Sequence, residues 1–135
     1  MTSVHLRQDG EREVLVSQRA ALDACGWLSD MAGRLRAFDL VVTPARSSRE
    51  TIERVESGGL AGAVLVGDPV EIDGLSLLRV VRSIDAELPC WLVAAYAGRH
   101  TIQTALALRA TGVLAQPVDV SALSMALLSV LARAL

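Results

Sequence analysis

Lysine is absent from these 135 residues: all thirteen basic side chains are arginine. That removes every amine able to form a Schiff base or to contact a phosphoryl group as a point charge. Cysteine is scarce as well. Cys25 and Cys90 are too few for a disulfide framework and have neither the spacing nor the partners of a zinc site, so both read as small buried hydrophobes. Long apolar runs are missing: the longest stretch free of charge, Val120 to Ala132, is 13 residues. A bilayer span needs about 18–20, and MTSVHLRQDGERE has no apolar core for a signal peptide. The expected compartment is the cytoplasm, with no membrane partner. A surplus of charge is lacking too, since the formal net charge is −2 with 21% charged residues. Direct contact with nucleic acid is therefore not expected.

What is present is an apolar chain, 52% hydrophobic, of a length that fits one domain with a sizeable core. Short β-branched runs alternate with longer helical patterns, the signature of βα units on a parallel sheet. Five units are read. The strands are EVLVS (13–17), DLVVT (39–43), GAVLVG (62–67), CWLVAA (90–95) and GVLAQ (112–116). The first helix is expected over 20–36, with Ala21, Cys25, Leu28, Ala32 and Leu35 as its core stripe. The second is capped by Ser47 or Ser48 and stops at Gly58-Gly59. The third covers 74–87, the fourth 99–110, and the fifth follows a cap at Asp119 or Ser121. The prediction is a three-layer αβα sandwich on a five-stranded parallel sheet. The domain is expected over 12–135, with residues 1–11 frayed. A last helix that reaches Leu135 without a glycine stop has the form of a cut through a longer chain.

In such folds ligands bind at the carboxyl ends of the strands. The loop after the first strand, SQRAAL, has no glycine, which excludes a dinucleotide fingerprint, a Walker loop and a flavodoxin-type phosphate loop. The cluster GGLAG (58–62) precedes a strand instead of following one and reads as a helix stop and turn.

Two stretches resemble the receiver domain of bacterial response regulators, a flavodoxin-like fold that takes a phosphoryl group on an Asp at the end of its third strand. IDGLSLLRVVRSIDAELPCWLVAAY (72–96) resembles the family pattern DG-L-LL--LR----LP-I-LTAY. ATGVLAQPVDVSALSMAL (110–127) resembles AGA--YL-KP-----L--AI. The resemblance implies a set of site positions. The acid pair that holds Mg²⁺ matches Ser17 and Gln18, which lack the anionic oxygens a hard cation prefers. The hydroxyl residue ending the fourth strand matches Ala94, the Lys before Pro matches Gln116, and the aromatic switch matches Val113. Counting back without gaps from Gly74, the acceptor falls on Val66; Asp68 takes that place only if the following loop is shortened. Phosphoryl transfer depends on neutralising charge spread over three oxygens. With those groups replaced, the resemblance implies a degenerate, phosphorylation-independent receiver with no metal, no cofactor and no catalysis. Its work would be contact with other proteins: a homodimer, a signalling partner or an output domain. Two alternatives are an unconventional phosphoacceptor at Asp68 and a small-ligand sensor using the vacated pocket.

Other candidates read as structural. His5 and His100 are each far in sequence from other metal-type ligands, Asp68-Pro69 suits a turn, and Glu71 with Asp73 suits a solvated turn. For the interface, the fifth helix has one stripe of Leu123, Leu127, Val130 and Ala134 and a second of Met125, Leu128, Ala132 and Leu135. In the first helix Trp27 and Met31 stand off the expected core stripe. In the fourth, Leu108 and Ala107 are expected to face away from a core stripe of Ile102 and Leu106. These second stripes are the expected contact surface.

Overall fold

Strands and helices alternate strictly in the computed structural model, which describes residues 11–17, 26–66, 73–95 and 98–132. In chain order the elements are β1 (Arg12–Ser17), α1 (Trp27–Arg36), β2 (Leu40–Ala45), α2 (Ser48–Ser57), β3 (Leu60–Val66), α3 (Gly74–Ile84), β4 (Cys90–Ala94), α4 (Arg99–Ala107), β5 (Gly112–Ala115) and α5 (Val120–Leu131). The five strands form one parallel sheet, as the alternation predicts, in the order β2-β1-β3-β4-β5, the 2-1-3-4-5 order that the resemblance to receiver domains implies. The frayed segment predicted over 1–11 lies, apart from Glu11, outside the described residues.

Each face of the sheet carries its own apolar layer. On one face Leu15, Leu65, Leu78, Val81, Leu92 and Ala105 pack together under α2, α3 and α4. On the other, Val14, Val64, Trp91, Leu35, Leu123 and Leu127 pack under α1 and α5. Alternate residues of a strand point to opposite faces, so a strand buried on both must be apolar throughout. CWLVA in β4 meets that condition, with its first four residues buried. Trp91 is the largest fully buried side chain. Its indole is accommodated because its neighbours are glycines: a Cβ on Gly112 would lie 3.0 Å from the indole Cδ1, and one on Gly62 would lie 3.1 Å from Cζ3.

Helix ends follow local chemistry. Ser47 caps α2 by accepting from the Glu50 amide, Asp73 caps α3 through the Ser76 amide, and Asp119 caps α5 through the Ala122 amide. The expected continuous helix over 20–36 is corrected: Gly26 stands at φ 76°, ψ 5°, immediately before Trp27, and a left-handed residue cannot continue an α-helix. Residues 20–25 of that expectation lie outside the described residues. The third helix stops at Ile84 and not at Glu87, because the Asp85 carboxylate accepts from the amides of Glu87 and Leu88 and folds the chain into a turn. The fourth stops at Ala107, two residues before the left-handed Arg109. The second strand runs on through Pro44 to Ala45, which β2 tolerates because it is an edge strand.

Two polar clusters tie the layers together. Glu13 is only 7% exposed. One of its carboxylate oxygens accepts from Arg54 Nη2 at 2.6 Å and the other from Thr43 Oγ1 at 2.5 Å, so α2 and β2 are pinned to β1. Arg82 donates to the carbonyls of Leu108, Asp85, Leu88 and Arg109 at 2.7–3.1 Å, satisfying the end of α4 and the approach to β4 from one guanidinium. Across the other face, Arg12 donates to the Leu131 carbonyl at the end of α5.

Candidate functional site

The register of the sheet places four of the family-matched positions along its carboxyl edge. Ser17 ends β1 opposite Leu65, Val66 ends β3 opposite Val93, and Ala94 ends β4 opposite Ala115. Gln116 follows directly, its amide donating to the Ala94 carbonyl at 2.9 Å, and its bond to Pro117 is cis. Residues scattered over a hundred positions of sequence are thus neighbours on one rim. Gln18 and Asp68 lie outside the described residues, as do His5, Glu71, Cys25 and Leu135.

The chemistry of this rim is sparse. Val66 is buried in the apolar layer with Val64 and Val93. Ser17 is buried, Ala94 is half-buried, and Gln116 is exposed. One hydroxyl and one carboxamide are the only polar side chains these four positions offer. Neither bears the negative charge that a hexacoordinate Mg²⁺ prefers, so these residues do not fit the divalent ion that the receiver fold implies. Among the described residues no group of three His, Cys, Asp or Glu side chains lies close enough to hold a metal ion. Val113, the position of the family's aromatic switch, is half-buried against the layer of α3 and α4.

Other titratable candidates have local explanations. Asp73 accepts from the Ser76 amide at 2.8 Å and from the Ser76 hydroxyl at 3.0 Å. The amide bond above all holds its carboxyl below the usual 3.8. Its role is to start α3. Cys90 is buried in the sheet, and desolvation pushes its thiol up to about 11, which leaves no thiolate for chemistry near neutral pH. His100 is exposed on α4.

The expected contact surface needs correction residue by residue. Met31 is 0% exposed and belongs to the core. Trp27 and Leu128 are half-buried against the same layer, and Leu108 is half-buried against the opposite one. Ala132, the C-cap of α5, is also half-buried. The stripe expected to be core on α4 is the exposed one: Ile102 is 38% and Leu106 55% exposed, while Ala105 fills the core position. On α5 the buried set is Leu123, Ser124, Leu127 and Leu131, and Val130 is 49% exposed. Met125, at 71%, is the most exposed large apolar side chain described. The reason is geometric. α1 and α5 lie side by side, joined at their rim by Arg34 donating to Ser121 Oγ, so each buries a flank against the other as well as a stripe against the sheet. Of the expected second stripes, Met31, Trp27 and Leu128 are thereby drawn into or against the core layer, and Met125 stays outside it.

No protein-family model matches the sequence, and no curated protein matches it. Solved structures do resemble the fold. The non-phosphorylated HemR receiver domain from Leptospira biflexa superposes with a TM-score of 0.76 at 18% identity, covering 93% of this chain and 98% of that one. A two-component response regulator from Clostridium difficile gives 0.74 at 19% identity, with 91% and 98% covered. The chemotaxis protein CheY4 from Vibrio cholerae gives 0.72 at 20%, with 90% and 99% covered. The chain has the flavodoxin-like fold of response regulator receiver domains. No helix described is long and apolar enough to cross a membrane.

Proposed function

We propose that this chain is a receiver-like signalling module that acts through protein–protein contact and does not depend on phosphorylation. The observation that carries the reading is the composition of the strand-end rim. Ser17, Val66, Ala94 and Gln116 stand together at the carboxyl edge of the sheet, and the resemblance matches them to a receiver's metal carboxylate, acceptor carboxylate, hydroxyl and amine. A transferring phosphoryl group spreads negative charge over its oxygens. Removing even one preorganised stabilising group costs a factor of about 10²–10³ in rate, and here all are replaced together. What the fold retains is a rigid platform whose helices can meet a second copy of the chain, a signalling partner or an output domain.

Incubation with acetyl phosphate and Mg²⁺, followed by intact-mass measurement, tests this directly. An unchanged mass is expected. A gain of one phosphoryl group that disappears in an Asp68→Ala variant would overturn the reading and assign Asp68 as an acceptor.

A further inference from the structure

Two helices end on one arginine. The last carbonyls of an α-helix carry the negative end of its dipole and need donors from outside the helix. At the end of α3 the Asp85 carbonyl accepts from Arg82 Nη1 at 3.1 Å. At the end of α4 the carbonyls of Leu108 and Arg109 accept from Nε and Nη2 of the same side chain, each at 2.8 Å. Nη1 also reaches the Leu88 carbonyl at 2.7 Å, just before β4. None of the described ion pairs involves Arg82. Its hydrogen bonds go to backbone carbonyls, and it stands between two negative helix ends that would otherwise face each other.

Little else holds α4. Ala105 is the one buried residue of its nine, whereas α1 and α2 bury two each, α3 three and α5 four. A methyl group removes little apolar area from water. The helices α2, α3 and α5 start on a side-chain cap, but α4 starts at Gly98 without one. Its first turn has no acid and opens with Arg99 and His100, so nothing in that turn complements the positive end of the dipole. Among the described residues no side chain of α4 forms a hydrogen bond or ion pair with another element. Its larger apolar residues, Ile102 and Leu106, are exposed.

We infer that α4 opens as a unit separate from the rest of the domain and that Arg82 is the latch that keeps it closed. With the latch made, one cation satisfies the ends of both helices. With it broken, like dipole ends meet and a single buried methyl group opposes release. Such an element belongs to the low-stability end of a fold, where a small change of contacts shifts its population. The latch sits at the amino edge of the sheet, where α3 ends and β4 begins, at the opposite end of the strands from Ser17, Val66, Ala94 and Gln116. The inference therefore goes beyond the proposed function and does not depend on the chemistry of that rim.

Native-state hydrogen exchange of the full chain tests it. In the wild type the amides of 102–108 are expected to exchange faster than those of 78–84 in α3 and those of β3, and at a rate indifferent to dilute urea, because a local opening exposes little surface. Arg82→Met keeps the aliphatic stem and loses the donors. It is expected to speed exchange at 102–108 by about tenfold or more, the effect of losing one charge-assisted hydrogen bond, with a smaller change in β3. Arg82→Lys, which lacks the fork that reaches several carbonyls at once, is expected to fall between the two. Arg54→Met removes a cation from α2 and is expected to leave 102–108 unchanged. A wild-type α4 that exchanges only together with the core would overturn the inference whether or not the variants fold. So would an Arg82→Met protein in which 102–108 is unchanged or speeds up no more than β3, or an equal acceleration of 102–108 in Arg54→Met.

Discussion

The two edges of the sheet are built from different materials. At the β2 edge, α2 presents Arg49, Glu50, Glu53 and Arg54, and a buried carboxylate, Glu13, is bonded to Arg54 and Thr43. Pro44 sits within the edge strand itself. At the β5 edge neither the strand nor α5 has any charge, and four of the five most exposed large apolar side chains, Ile102, Leu106, Met125 and Val130, lie on the two helices that flank it. One edge is closed by ions and a proline; the other is held by packing and left open. The difference teaches that an αβα sandwich can hold one edge of its sheet by an ion pair and the other by packing alone, with Val113 on one apolar layer and Leu114 on the other.

Substitutions can break this contrast, and the largest effect is expected at the packed side. Trp91→Ala removes the side chain that spans Gly62 and Gly112 and should cost about 3–5 kcal/mol by urea denaturation, independent of salt. At the ionic side, Glu13→Ala leaves Arg54 without its carboxylate. Arg54 is 37% exposed and can rehydrate, so the cost is expected at about 2 kcal/mol, below that of a fully buried pair.

The smallest effect sharpens the comparison with a site that belongs to neither edge. Asp73→Ala removes the α3 cap and should cost about 0.5–1 kcal/mol at neutral pH, the lower part of the range for caps because the carboxylate is well solvated. The folded-state pKa of Asp73 lies below 3.8, chiefly through the Ser76 amide. Its stabilisation is therefore present above that value and lost as pH falls through the folded-state pKa. The difference between wild type and variant should shrink in acid; a difference that keeps its full neutral-pH size there would mean that the charge of Asp73 adds nothing to the cap.

Much of the fold was legible in the chain because it rests on local periodicity. Alternating β-branched runs and helical stripes located all five strands, and Ser47 and Asp119 mark helix starts through side-chain chemistry that reaches only three residues ahead, while Asp73, expected in a solvated turn, proves to be a third such cap. The rim was legible through spacing, since a parallel sheet brings strand ends together whatever lies between them. Gly26 was missed because a single glycine inside a helical pattern does not reveal its φ in advance. Glu13 was missed although a signal existed: it shares the strand face of Leu15, and a charged residue at a core-facing position asks for a partner.

The sequence by itself determined the class of fold and the order of elements, because both depend on residue type at a fixed spacing. Only the tertiary structure decided which apolar stripes are core and which are surface. The pattern along the chain puts Met31 off the core stripe and Leu106 on it, yet Met31 is buried and Leu106 is exposed. A helix on a sheet buries one stripe, and the position of its neighbouring helix decides whether a second is covered.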